Sequence, residues 1–192
     1  MICDKHKVIL IHIPKTGGTS VDISLTGKDT WFSDPYNKHL TAQEARKYYG
    51  EKKWKEYYKI GIVRNPYDKE VSLFKWAVIQ KQVKPEMKFR EYIAFYEKNE
   101  HFNPDHWRRN QMDWLQIDGK IAVDKVMRFE DLENDYKELC EKLGIKNSAL
   151  QHRNRSRHET DTWQRYYNDD NVREIVKRRY SKDFAYFYQQ LH

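Results

Sequence analysis

The chain has 192 residues, with 36 Lys and Arg against 29 Asp and Glu, a formal net charge of +7 and a mean hydropathy of −1.04. Charged residues make up 34% of it, which would suit a disordered chain, but 14 Tyr, 8 Phe and 6 Trp exclude that reading because disordered chains are poor in aromatics. One domain of this length buries about 70% of its unfolded surface, and the positive excess implies an anionic partner.

The run Val8-Ile9-Leu10-Ile11 predicts a strand over 7–13 that is covered on both faces. A turn carrying Lys15, Gly17 and Gly18 follows, and Thr19 and Ser20 open a helix over 19–26. Residues 27–38 read as a loop, with Gly27, Asp34-Pro35 and Asn37 as turn formers. Thr41-Ala42-Gln43-Glu44 is a capping box and Gly50 a stop, giving a helix over 42–49. Strand 57–63 and helix 68–82 form a second strand–helix unit, with Val71, Phe74 and Val78 as the helix's buried stripe. A helix over 88–98, a short one near 108–116 and a strand over 122–128 come next. Helix 131–143 ends at Gly144, and helices near 169–179 and 182–190 finish the chain beyond a basic loop at 151–159. Strands alternating with helices imply a three-layer α/β, P-loop-like fold: a central parallel sheet flanked by helices, in a single domain over 1–192.

Cys3 and Cys140 make no disulfide framework, and no metal-ligand cluster accompanies them. Cys140 lies on an apolar helical stripe with Leu132, Tyr136, Leu139 and Leu143, the setting of a small buried hydrophobe. The apolar runs are too short to span a membrane and no signal peptide is evident, so a cytoplasmic location is expected. No homeodomain, zinc-finger or RNA-binding signature occurs, so no specific nucleic-acid partner is implied.

The segment Pro14-Lys15-Thr16-Gly17-Gly18-Thr19-Ser20 is built to hold an anion. Its glycines permit a tight turn and close backbone approach, the helix N-terminus presents N–H groups, and Lys15 adds a full charge. The ATPase loop needs Gly-Lys-Ser/Thr, whereas here the lysine precedes the glycine pair. The second segment, Arg64-Asn65-Pro66-Tyr67-Asp68-Lys69-Glu70-Val71-Ser72, leaves the apolar strand end Ile60-Gly61-Ile62-Val63. Arg64 then lies at the carboxyl end of a strand, where open parallel sheets bind ligands, and Ser72 lies early on the next helix. Arginine grips phosphate bidentately and serine offers a hydroxyl.

Together these motifs resemble the PAPS-dependent sulfotransferases, PAPS being 3′-phosphoadenosine 5′-phosphosulfate. The first is similar to the loop that holds the 5′-phosphosulfate, the second to the element that holds the 3′-phosphate. His39-Leu40-Thr41 resembles the histidine-bearing segment of the carbohydrate, Golgi-type branch, of which this would be a small soluble member. Arg128-Phe129-Glu130-Asp131-Leu132 and Asn154-Arg155-Ser156 resemble later segments, and Gln111 and Trp114 resemble positions near the substrate cleft. The resemblance implies sulfuryl transfer from PAPS to a hydroxyl of a saccharide or small metabolite, with PAP as product and no metal required. It makes Lys15, Thr16, Gly17, Gly18, Thr19, Ser20, Arg64 and Ser72 donor-binding residues, with Lys15 and His39 catalytic, His39 as base.

Some choices stay open at this point. Glu130 is a second candidate base or a helix cap, and His12 a rival that more readily packs within its strand. Arg155 and Arg157, in the basic run 152–158, close over the 3′-phosphate, contact an acidic glycan or form a solvated loop. Trp31 and Trp107 stack on a sugar or pack. The competing functions are a P-loop phosphotransferase, disfavoured by the missing Gly-Lys-Ser/Thr, and a noncatalytic binder of anionic nucleotides or glycans. The oligomeric state is not legible.

Overall fold

The computed structural model describes residues 1–30, 34, 37–98, 105–146, 149–151 and 162–191. They fall into two compact units, Met1–Arg64 with Gln111–Arg155, and Asn65–Asn110 with Ser156–His192. In chain order the elements begin with β1 (Ile2–Cys3), β2 (Val8–Ile11), α1 (Gly18–Thr26), α2 (Ala42–Glu56) and β3 (Tyr58–Val63). Next come α3 (Pro66–Ile79), α4 (Phe89–Lys98), α5 (Gln111–Leu115), β4 (Gln116–Ile117), β5 (Lys120–Ile121) and β6 (Lys125–Arg128). The last are α6 (Leu132–Leu143), α7 (Asp170–Arg179) and α8 (Ser181–Phe187).

The first unit is α/β, built on a mostly parallel sheet in the order β1-β2-β3-β6. β2, β3 and β6 run parallel, and β1 adds an antiparallel edge to β2. Alternation sorts the strand residues onto two faces. Val8, Leu10, Ile60, Ile62 and Met127 pack in one core with Val21 and Leu25 of α1 and Leu132, Tyr136, Leu139 and Cys140 of α6. Cys140 is buried there, as its place on the stripe predicts. On the other face Leu115 of α5 occupies the space beside Gly61, where a Cβ would come within 2.3 Å of its Cδ2. Lys59 extends over the ring of Trp54 of α2 on that same face, 5.9 Å from its centroid. Helices therefore cover both sides of the sheet.

One local expectation holds with an addition and one is corrected. Gly50 stops the first helical stretch of α2 as expected, at φ 85°, ψ 155°, and a second stretch follows across that kink to Glu56. The continuation Glu51–Glu56 is rich in good helix formers, and buried Trp54 anchors it. Strand 122–128 shortens to Lys125–Arg128, and the β4–β5 hairpin precedes it. That hairpin turns through Asp118 and Gly119, both at positive φ, the demand that an Asp-Gly pair meets. β1 is a two-residue strand, too short to carry a periodic signal.

In the second unit α3 starts at Pro66, two residues before the expected 68, because Asn65 caps it and proline suits the first helical position. Its buried face contains Val71 and Phe74 as expected, but also Lys69 and Glu70, while Val78 is only half-buried. Both buried charges are bonded. Glu70 accepts from Arg108 Nε at 3.0 Å and from the Tyr180 hydroxyl at 2.7 Å, and Lys69 Nζ donates to the Trp107 carbonyl at 2.7 Å. The aromatic surplus goes largely here: Tyr67 contacts Tyr167 and Phe184, and Phe74 contacts Phe89 and Tyr92. α8 ends at Phe187 rather than 190, as Tyr188 leaves the helical conformation. Among the described residues, no helix is long and apolar enough to cross a membrane.

Candidate active site

The turn from β2 into α1 forms the cradle. Lys15 has φ 68° and Gly17 φ 85°, so two left-handed residues fold the chain back before α1 begins at Gly18. The left-handed region costs a residue with a Cβ, so Lys15 is held there by its surroundings. Part of that hold is Arg64, whose Nη1 donates to the Lys15 carbonyl at 2.9 Å. The N–H groups at the start of α1 have no acceptor within the helix and carry its positive dipole end. Ser20 N–H is the exception, donating to the Gly17 carbonyl at 3.0 Å. The Thr16 side chain is buried, with its hydroxyl donating to the Ile13 carbonyl at 2.9 Å, so it braces the turn from inside. Thr19 is half-buried.

Both glycines are required by their neighbours. A Cβ on Gly17 would come within 3.0 Å of Leu132 Cδ2 and Phe129 Cδ2, at a φ that already disfavours a side chain. One on Gly18 would collide with the ring of His12. Burial, and then the nearby Arg64 charge, lower the Lys15 pKa to about 8. A cation so placed gains from a bound anion.

Arg64 sits just past the end of β3, half-buried, with its guanidinium carbon 3.9 Å from the centroid of the Phe129 ring. Gln111, fully buried, bonds both main-chain groups of Arg64: Oε1 accepts from its N–H and Nε2 donates to its carbonyl, each at 2.8 Å. The sequence linked Gln111 only loosely to the cleft and gave Phe129 no role of its own; both act through a contact 47 or more positions away along the chain, which no local pattern displays.

His39 and His12 come together. Their rings lie 4.7 Å apart, and His39 Nδ1 is 2.7 Å from the His12 carbonyl oxygen. A carbonyl only accepts, so Nδ1 carries a proton, and in the neutral ring the lone pair is then on Nε2. His12 itself is buried and its Nδ1 has no hydrogen-bond partner among the described residues; burial, followed by His39 and Lys38, holds its pKa well below the usual histidine value. Beside His39, Lys38 is buried and paired with Asp29 at 2.7 Å. Thr41 caps α2 through the expected box, fixing the backbone two residues after His39.

The first unit therefore gathers the Lys15–Ser20 turn, Arg64, and the His12–His39 pair. The model of the sulfotransferase family matches residues 1–189. The chain belongs to that family. No curated protein and no solved structure matches this sulfotransferase-family chain.

The other candidates of this sulfotransferase are placed within their own units. Ser72 is half-buried on α3 in the second unit. Glu130 is exposed in the 3₁₀ turn Phe129–Asp131, and Trp114 is buried. Trp107 is half-buried in the second unit, with its ring 4.8 Å from that of Trp76. Trp31, Arg155 and Arg157 lie outside the described residues. No group of three or more His, Cys, Asp or Glu that would hold a metal occurs among the described residues.

Proposed function

We propose that this sulfotransferase uses PAPS as donor and transfers its sulfuryl group to a hydroxyl of a saccharide or small metabolite, with His39 as base. The observation that carries this reading is the hydrogen bond from His39 Nδ1 to the His12 carbonyl. It ties the imidazole, through Nδ1, to the residue that follows β2 on its way into the anion cradle, and leaves Nε2 on the other side of the ring. The cradle itself suits the donor: two positions without a Cβ where the backbone must turn, a half-buried lysine, and helix N–H groups.

In the proposed step Nε2 of His39 takes the proton of the acceptor hydroxyl as its oxygen bonds to sulfur. The bond from sulfur to the bridging phosphate oxygen breaks, and that oxygen leaves with the electron pair on PAP. Lys15 and the backbone N–H groups at the start of α1 face the charge that grows on the leaving oxygen. Preorganised donors of this kind are commonly worth about 3–4 kcal/mol each in the transition state. Arg64 binds the donor's 3′-phosphate, which fixes the direction of the sulfuryl group. Phosphoryl transfer makes the same demands of alignment and charge stabilisation.

The test is incubation with labelled PAPS and a panel of glycans, phenols and small alcohols, with PAP affinity measured by calorimetry. Labelled product with one acceptor class, and PAP binding lost in Lys15→Ala, are the expected results. Absence of PAP affinity in the wild-type protein would overturn the reading.

A further inference from the structure

We propose that Gln111 is a positioning residue for the donor: it fixes the main chain of Arg64 and thereby aims the guanidinium at the cradle. The inference rests on the functional reading above for its link to PAP, but its structural content can be tested without a ligand.

The β3–β6 ladder ends where Val63 pairs with Arg128, so Arg64 lies one residue beyond the last strand partner. Along β3 the odd residues bond toward β6, as Lys59 does with Asp124, and the even ones toward β2, as Tyr58 does with Lys7. The N–H and C=O of Arg64 are therefore the next groups that a longer β2 would have bonded. The Gln111 carboxamide takes over both, accepting at 2.8 Å and donating at 2.8 Å. A side-chain amide thus extends the ladder on that side of β3 by one rung, from α5 rather than from a strand. Gln111 is fully buried, so neither bond is shared with bulk water.

From that fixed main chain the Arg64 side chain makes two directed contacts. Its guanidinium lies over Phe129, whose ring also borders Gly17, and its Nη1 bonds the carbonyl of the left-handed Lys15. A displaced Arg64 backbone would therefore misplace the guanidinium and relax the Lys15 turn together. Only a carboxamide of this reach serves. Glutamate keeps the acceptor but sets a second oxygen against the Arg64 carbonyl, asparagine is one methylene short, and methionine of similar length offers neither bond.

The experiment compares Gln111→Met and Gln111→Glu with wild type, with Leu115→Ala as a packing control on the same short helix. PAP affinity in Gln111→Met is expected to fall about tenfold or more, the scale of losing buried hydrogen bonds at a binding group. Leu115→Ala should lower stability with PAP affinity within about twofold. In an Arg64→Ala background, Gln111→Met should add little further loss, because the two residues act as one. Gln111→Glu should regain affinity relative to wild type as pH falls, since a protonated carboxyl restores the donor. As a ligand-free readout, the Arg64 guanidinium NMR signals, assigned through Arg64→Lys, should be restrained in wild type and averaged in Gln111→Met or Gln111→Glu. Unchanged Arg64 signals in both variants, or additive losses in the double variant, would overturn the inference. Wild type that fails to bind PAP while the Arg64 signals respond as expected would instead sink the donor assignment.

Discussion

The imidazole of His12 fills the place a side chain on Gly18 would need: a Cβ there would come 2.2 Å from His12 Cδ2 and 2.5 Å from Nε2. The ring is buried and also borders His39, so it has little room to yield. Gly18→Ala should therefore destabilise the fold by about 1–3 kcal/mol, the range for overpacking a filled site. Urea denaturation measures it. Pairing the change with His12→Ala should recover a large part of the loss, and a Gly18→Ala variant as stable as wild type would contradict the contact.

His39 is bonded at Nδ1, away from the lone pair that would take a proton. His39→Ala should lower turnover of PAPS by about 100- to 10,000-fold, the usual worth of a positioned base. PAP affinity should stay within about twofold by calorimetry. Equal losses of turnover and affinity would assign the residue to binding.

Lys15 gives a pH dependence of fixed sign. Its folded-state pKa is near 8 against a reference of 10.5, so the protonated form disfavours folding. Below about 8 that penalty is fully present, and stability should rise as pH climbs from about 8 to 10.5. PAP affinity should move the other way, weakening above about 8 as the charge is lost. Lys15→Met should raise the urea midpoint at pH 7, abolish both trends and bind PAP poorly. A variant with unchanged midpoint and unchanged pH profile would remove Lys15 from this role.

Glu70 and Arg108 form a buried ion pair, and Glu70→Ala leaves the guanidinium without its carboxylate. Removing one partner of such a pair typically costs about 3–5 kcal/mol. Equilibrium denaturation should show a loss of that order, and Glu70→Ala with Arg108→Met together should lose less than Glu70→Ala alone.

Much of the α/β architecture was readable because its signals are local. Four apolar residues at Val8–Ile11 become the fully buried β2, Gly144 ends α6 in the left-handed conformation, and Thr41 with Glu44 forms the expected box. Lys15, Gly17 and Gly18 stood out by type and spacing, and the structure adds the reason for each glycine. What stayed hidden depends on partners distant in sequence. Lys69 and Glu70 look like solvent-facing charges until Trp107, Arg108 and Tyr180 arrive to bond them. The proton on His39 Nδ1 is set by a carbonyl 27 residues earlier. Two-residue strands such as β1, β4 and β5 hold too few residues for alternation to register.

The two adjacent charges on α3 also lock that helix in azimuth. Neighbouring helical residues point about 100° apart, so Lys69 reaches the Trp107 carbonyl and Glu70 reaches Arg108 along different bearings, while the Tyr180 hydroxyl, bonded to both, bridges them. An apolar stripe would tolerate a small roll of the helix against its neighbours. Here any roll that favours one bond pulls on the other, so the bearing of Ser72, two positions onward, is indexed by a pair of ionic pegs rather than by the grease of the core.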